Sequence, residues 1–136
     1  MILKKTTKYL FDTSVFLGYL RNQPIPHDIM KQAAFMSSNI YYSIITDIEL
    51  WIGIRGKREE VEHIRVLRPF NRYFLNVTIA RRAAEIHKTL DFVKNQPTPS
   101  LPDCILAATA EYHNLTVITK NSSDFKLFTT ISCEFF

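Results

Sequence analysis

The chain predicts an α/β domain of three layers, with a central parallel sheet of four to five strands and helices on both faces. Three observations predict it. Short runs rich in aromatic and β-branched residues, such as Tyr9-Leu10-Phe11 and Ile40 to Ile45, alternate with helical segments. These runs are apolar throughout rather than at every second residue, as strands covered on both faces are. Hydrophobic residues make up 46% of the chain and only three glycines occur, which excludes a disordered chain and a turn-rich all-β fold.

Lys8 to Phe11 reads as the first buried strand. Val15 to Leu20 follows as a helix, with Thr13 or Ser14 placed to cap it. Asn22 to Pro26 reads as a loop, and Asp28 to Ser37 as a helix with Ile29, Ala33 and Met36 on one face. Ile40 to Ile45 is the second strand. Helices are predicted over Asp47 to Arg55 and Arg58 to Arg68, and a third strand over Phe74 to Thr78. Ile79 to Lys94 carries Ala83, Ile86, Leu90 and Val93 at helical spacing. After the proline-rich loop Gln96 to Pro102, the alanine-rich stretch Asp103 to His113 reads as a helix. Leu115 to Thr119 is the fourth strand and Thr129 to Phe135 a fifth candidate. Strand followed by helix, repeated, is the connectivity of a parallel sheet.

The 136 residues suit one domain, taken here as 1–136. No run approaches the roughly 18 apolar residues of a membrane span. Asp12 interrupts the apolar stretch after Lys4, Lys5 and Lys8, so a signal peptide is not expected and the location is expected to be cytoplasmic. Cys104 and Cys133 form no metal-type pair and read as free thiols. The net charge is +4, from 17 basic and 13 acidic residues, with eight of the bases between Arg55 and Arg82. Were four of the acids neutralised by metal, nine would face 17 bases, a balance that favours a polyanionic partner.

Four acids stand where desolvation is costly: Asp12, Glu49, Asp103 and Asp124 each follow or interrupt an apolar stretch. Each has a local explanation. Asp12 can cap a helix, and Thr46-Asp47-Ile48-Glu49 and Ser100-Leu101-Pro102-Asp103 both match a capping box. Asp124 can cap the turn Asn121-Ser122-Ser123-Asp124. Taken together they say more. Three lie near the exits of different parallel strands, on the edge where open α/β sheets bind ligands. Asp47 is a built-in control, because two residues along a helix place it about 200° from Glu49. An all-oxygen cluster without His or paired Cys selects a hard cation, Mg²⁺ or Mn²⁺, which leaves positions for phosphate oxygens.

The same residues resemble the PIN domain, and more narrowly the VapC-like toxins of type II toxin–antitoxin pairs. Four blocks carry the resemblance in order: Tyr9-Leu10-Phe11-Asp12-Thr13-Ser14, Ser43 to Glu49, Leu101 to Ala110 around Asp103, and Leu115 to Phe125 ending Thr119-Lys120-Asn121-Ser122-Ser123-Asp124-Phe125. The resemblance implies a single three-layer PIN-like domain and a Mg²⁺- or Mn²⁺-dependent endoribonuclease acting as a toxin, restrained by a cognate antitoxin protein. It implies Asp12, Glu49 and Asp103 as central metal ligands and catalytic acids, with Asp124 as the fourth. Asn121 shares that fourth role as an alternative, and Ser14 is implied in positioning phosphate. Cys104 departs from the usual small or polar residue of the third block. The resemblance further implies RNA as substrate and a homodimer. Arg55, Lys57, Arg58, Arg81 and Arg82 are candidates for holding the RNA backbone.

Two other readings compete. A PIN-like protein with a weak catalytic site would serve as a protein-interaction module. Other doubly wound phosphoryl enzymes fit less well: a haloacid-dehalogenase-like phosphatase wants Asp-x-Asp, where Ser14 takes the second position, and a receiver domain wants an Asp ending the third strand, absent from Phe74 to Thr78.

Overall fold

The computed structural model describes residues 1–136. In chain order the elements are β1 (Tyr9–Phe11), α1 (Thr13–Leu20), α2 (Pro24–Ala34), β2 (Ile40–Ser43), α3 (Ile44–Ile52), α4 (Lys57–Leu67) and β3 (Asn71–Tyr73), then α5 (Val77–Asp91), α6 (Leu101–His113), β4 (Thr116–Thr119), α7 (Ser122–Phe125) and β5 (Ser132–Phe135). A short 3₁₀ turn at Ser37–Asn39 leads into β2. The five strands form one sheet in the order β3-β2-β1-β4-β5, and every neighbouring pair is parallel. This is the three-layer α/β fold that the sequence predicts.

Side-chain alternation along β1 explains the layers. Tyr9 and Phe11 point into one core with Phe16, Ile29, Ile40, Leu50 and Leu67, under α1 to α4. Leu10 points the other way, into a core with Ile79, Ala83, Leu106, Ala107 and Val117 under α5 and α6. All three β1 residues are buried, which is why the strand reads as a continuous apolar run. The Phe11 ring packs tilted against Phe16 at 5.9 Å and Phe70 at 6.1 Å. Truncating such a ring to Ala costs about 3–5 kcal/mol in cores of this kind. Small side chains Ala107, Ala108 and Ala110 let α6 lie close on the sheet and on α5.

Three predicted elements are corrected. The Asn22 to Pro26 loop is half helix: α2 begins at Pro24, because proline fits the first turn, where its missing N–H is not needed. The second strand ends at Ser43, not Ile45, because the Ser43 hydroxyl accepts from Ile45 N and starts α3 at once. The third strand is Asn71–Tyr73 rather than Phe74 to Thr78. Asn76 caps α5 by accepting from Ile79 N at 2.8 Å, so Val77 and Thr78 are helical. Phe74 and Leu75 stay exposed at 66% and 39%, and their apolar character does not mark a buried strand. No helix is long and apolar enough to cross a membrane.

Candidate active site

The C-terminal ends of β1, β2 and β4 face one edge of the sheet, and the helices that follow them begin there. Asp12 is the N-cap of α1, as one of its sequence readings allows, rather than Thr13 or Ser14. It is 9% exposed, and its backbone N–H donates to Ile118 O of β4. Its carboxylate collects three donors: Thr13 N at 2.8 Å on Oδ1, and Ser14 Oγ and Thr119 Oγ1, each at 2.8 Å, on Oδ2. A buried carboxylate is tolerated when it is hydrogen-bonded in this way.

Glu49 reaches the same edge from α3. Thr13 Oγ1 donates to its Oε1 at 3.0 Å and meets Thr46 Oγ1 at 2.9 Å. The Thr46-to-Glu49 capping box is therefore corrected: Ser43 is the cap, and Thr46 lies inside the helix, fully buried, facing α1. Partial desolvation raises the Glu49 pKa; the Thr13 hydrogen bond opposes this and the charge of Asp12 adds to it. Asp47 behaves as the control predicts. It turns away and forms a two-point pair with Arg72, at 2.8 and 2.9 Å.

Asp103 sits in the first turn of α6, where the Ser100 hydroxyl accepts from its backbone N–H at 3.3 Å, the expected cap. Asn121 Nδ2 donates to Asp103 Oδ2 at 2.8 Å. The Asn121 amide oxygen is spent on Ser123 Oγ at 2.9 Å and Asp124 N at 3.4 Å. Asn121 thus orients Asp103, and Asp124 is the side chain that brings a fourth carboxylate to it. Burial first, then a hydrogen bond to the Asp124 carboxyl and the charges of Asp12 and Asp124, push the Asp103 pKa up to about 7. Asp124 Oδ2 also accepts from Ser100 N at 3.4 Å. Cys104 is buried beside this pair, and its thiol is pushed up to about 11 by burial and by both acids, so it stays a protonated, inert neighbour.

The four acids, from four distant segments, thus share one hydrogen-bonded cluster. Glu49 joins through Thr13 to the α1 N-terminus, Asp12 through Thr119 to Asn121 N at 3.0 Å, Asn121 to Asp103, and Asp103 to the Asp124 carboxyl, which also accepts from Ser100 N. No three of their carboxylates converge round a single point at ligating spacing. The donor chemistry nonetheless fits a hard divalent cation: every candidate ligand is oxygen, and no Lys or Arg pairs with any of the four, the three ion pairs being Arg72–Asp47, Arg82–Glu85 and Arg82–Glu111. Ser14 spends its proton on Asp12 and accepts from Lys120 N at 3.1 Å, so its hydroxyl holds the site's frame. Arg82, a candidate RNA contact, is instead engaged by Glu111 and Glu85; Arg55, Lys57, Arg58 and Arg81 are exposed and form no ion pair. Sequence reasoning missed the supporting hydroxyls of Thr13, Thr46 and Thr119. The one signal available was a threonine closing an otherwise apolar strand.

Fold and site together define a parallel three-layer α/β domain with a carboxylate cluster at the C-terminal edge of its sheet. The PIN domain model matches residues 9–128, and the chain belongs to the PIN domain family. Similar folds occur in solved complexes. A chain of DNA-bound VapBC from Salmonella typhimurium aligns with TM-score 0.80 at 22% identity, covering 94% of this chain and 97% of that one. A chain of FitAcB from Neisseria gonorrhoeae aligns with TM-score 0.74 at 27% identity, covering 92% and 95%. A chain of a toxin–antitoxin complex from Klebsiella pneumoniae aligns with TM-score 0.74 at 24% identity, covering 91% and 95%. No curated protein sequence matches significantly.

Proposed function

We propose that this protein is a divalent-metal-dependent endoribonuclease that acts as the toxin of a toxin–antitoxin module in the cytoplasm. The observation that carries the reading is the gathering of Asp12, Glu49, Asp103 and Asp124 into one cluster with no basic side chain to neutralise it. Carboxylates so placed repel a phosphodiester unless a cation stands between them. Asp12, Glu49, Asp103 and Asp124 would hold Mg²⁺ or Mn²⁺. Once bound, the ion supplies charge neutralisation for the scissile phosphate and an activated water for in-line displacement. The chain's own groups prepare the rest. Ser14, Thr13 and Thr119 fix the Asp12 carboxylate in place, and Asn121 aims Asp103. Arg55, Lys57, Arg58 and Arg81 give exposed counter-charge for an RNA backbone.

The antitoxin reading rests on the family and on similar chains solved in toxin–antitoxin complexes, such as the one from Klebsiella pneumoniae, and the homodimer reading rests on the family resemblance alone. Exposed apolar side chains support a protein partner: Ile48, Trp51 and Ile52 on α3, and Val61 and Ile64 on α4. The decisive experiment incubates purified antitoxin-free protein with mixed RNA and Mg²⁺ or Mn²⁺, with and without EDTA. EDTA-sensitive cleavage supports the proposal. The second reading, an interaction module with weak catalysis, draws on the carboxylates' failure to converge at ligating spacing. Absence of cleavage with retained binding to a protein partner would establish that reading instead.

A further inference from the structure

Thr46 is fully buried in the first turns of α3, one helical turn before Glu49, and the capping role predicted for it belongs to Ser43. Its hydroxyl has one neighbour, Thr13 Oγ1, at 2.9 Å. Counting protons fixes the direction of this contact. A hydroxyl carries one proton. Thr13 gives its proton to the Glu49 carboxylate at 3.0 Å, so the proton between the two threonines comes from Thr46. The result is a one-way relay, Thr46 to Thr13 to Glu49. It crosses from α3 to α1 and back, over a sequence gap of 33 residues.

The middle of the relay is anchored, and its acceptor is held by the relay alone. Thr13 is 3% exposed and follows Asp12, whose Oδ1 accepts from its backbone N–H at 2.8 Å. Glu49 itself lies at the solvent rim, where a glutamate with free torsions would sweep many rotamers. Thr13 is its only hydrogen-bond partner in the protein, and Thr46 is what orients the Thr13 proton toward it.

We propose that Thr46 is a positioning residue which, through Thr13, holds the Glu49 carboxylate beside Asp12 ready for a divalent cation. The inference rests on the metal-dependent reading above. Groups that orient metal ligands from behind typically change affinity or activity about 10- to 100-fold when removed.

The test is an Mn²⁺ titration of the full, antitoxin-free chain, read by electron paramagnetic resonance of free Mn²⁺ and by the Mn²⁺-induced rise in Tm. Thr46→Val keeps the shape and removes the proton, and is expected to weaken Mn²⁺ binding about tenfold. Thr46→Ser restores the hydroxyl and is expected to recover the affinity to within about threefold of wild type. Thr13→Val removes the middle of the relay and reproduces the loss; it decides the matter should Thr46→Val fail to fold. In a Glu49→Gln background, Thr46→Val is expected to add little, because both changes act on one interaction. Wild-type affinity in Thr46→Val, equal weakness in Thr46→Ser, or full additivity with Glu49→Gln would each overturn the inference while leaving the nuclease reading intact. A wild-type protein that ignores Mn²⁺ would overturn both.

Discussion

Asp12 and Asp103 each stand at the start of a site helix, where the N-terminal dipole favours a carboxylate, yet they are held in opposite ways. Asp12 faces donors only: one backbone N–H and two hydroxyls, all at 2.8 Å. Asp103 faces another acid, and its pKa is pushed up to about 7 by burial and by Asp124. The first half of the cluster is ringed by donors and the second stores repulsion. A cation brought between them would be held in place by the first half and would relieve the second. Glu49 joins the first half through Thr13, and Asn121 bridges the two.

Removing either key acid should have the largest effect. Asp12→Asn and Asp103→Asn are each expected to lower metal-dependent RNA cleavage by about 10³-fold or more, with circular dichroism reporting an intact fold. Wild-type turnover in either variant would take that residue out of the site.

Stability then separates the halves. Thr119→Val removes the proton that Asp12 receives and the oxygen that accepts from Asn121 N, inside a fully buried position. It should cost about 1–3 kcal/mol in urea unfolding. In metal-free buffer at pH 8, Asp103→Asn should instead stabilise the protein, by roughly 1–2 kcal/mol once solvent screening of a half-exposed group is allowed for. Asp12→Asn should destabilise it, since an amide NH₂ cannot accept from the hydroxyls of Ser14 and Thr119. Equal responses of the two variants would erase the contrast between the halves.

The pH dependence follows with a definite sign. Folding raises the Asp103 pKa from its ordinary value of 3.8 to about 7, so the folded state binds that proton more tightly than the unfolded chain. Its contribution to stability is complete below about pH 4 and is lost as pH rises through 7. The Tm of Asp103→Asn relative to metal-free wild type should therefore climb across that window, and a flat difference would contradict the assignment. The smallest effect belongs to Asp47→Asn, which breaks only the half-exposed pair with Arg72; stability should change within about 0.5 kcal/mol and cleavage should persist.

Much of this was legible in the residues. Tyr9 to Phe11 and Val117 to Thr119 are buried on both faces, and their mostly apolar runs announce it. Ser100, three residues before Asp103, caps as its pattern predicts. The misreadings have local causes. Thr46 stands three residues before Glu49 as a capping box requires, but the helix already starts at Ser43, whose hydroxyl accepts from Ile45 N, and Thr46 is buried against α1. Phe74 and Leu75 imitate a strand because an exposed apolar surface and a buried one are written in the same residues.

The sequence by itself determined the alternation of strand and helix and which carboxylates stand at strand exits, because these depend on periodicity and on neighbours within a few residues. The tertiary structure alone decided what meets each carboxylate. Thr119 reaches Asp12 across 107 residues, Asn121 reaches Asp103 across 18, and Thr13 reaches Glu49 across 36. Such bonds form only after the sheet has fixed its strand order and register, since a hydroxyl's single proton goes to whichever acceptor packing has brought within reach.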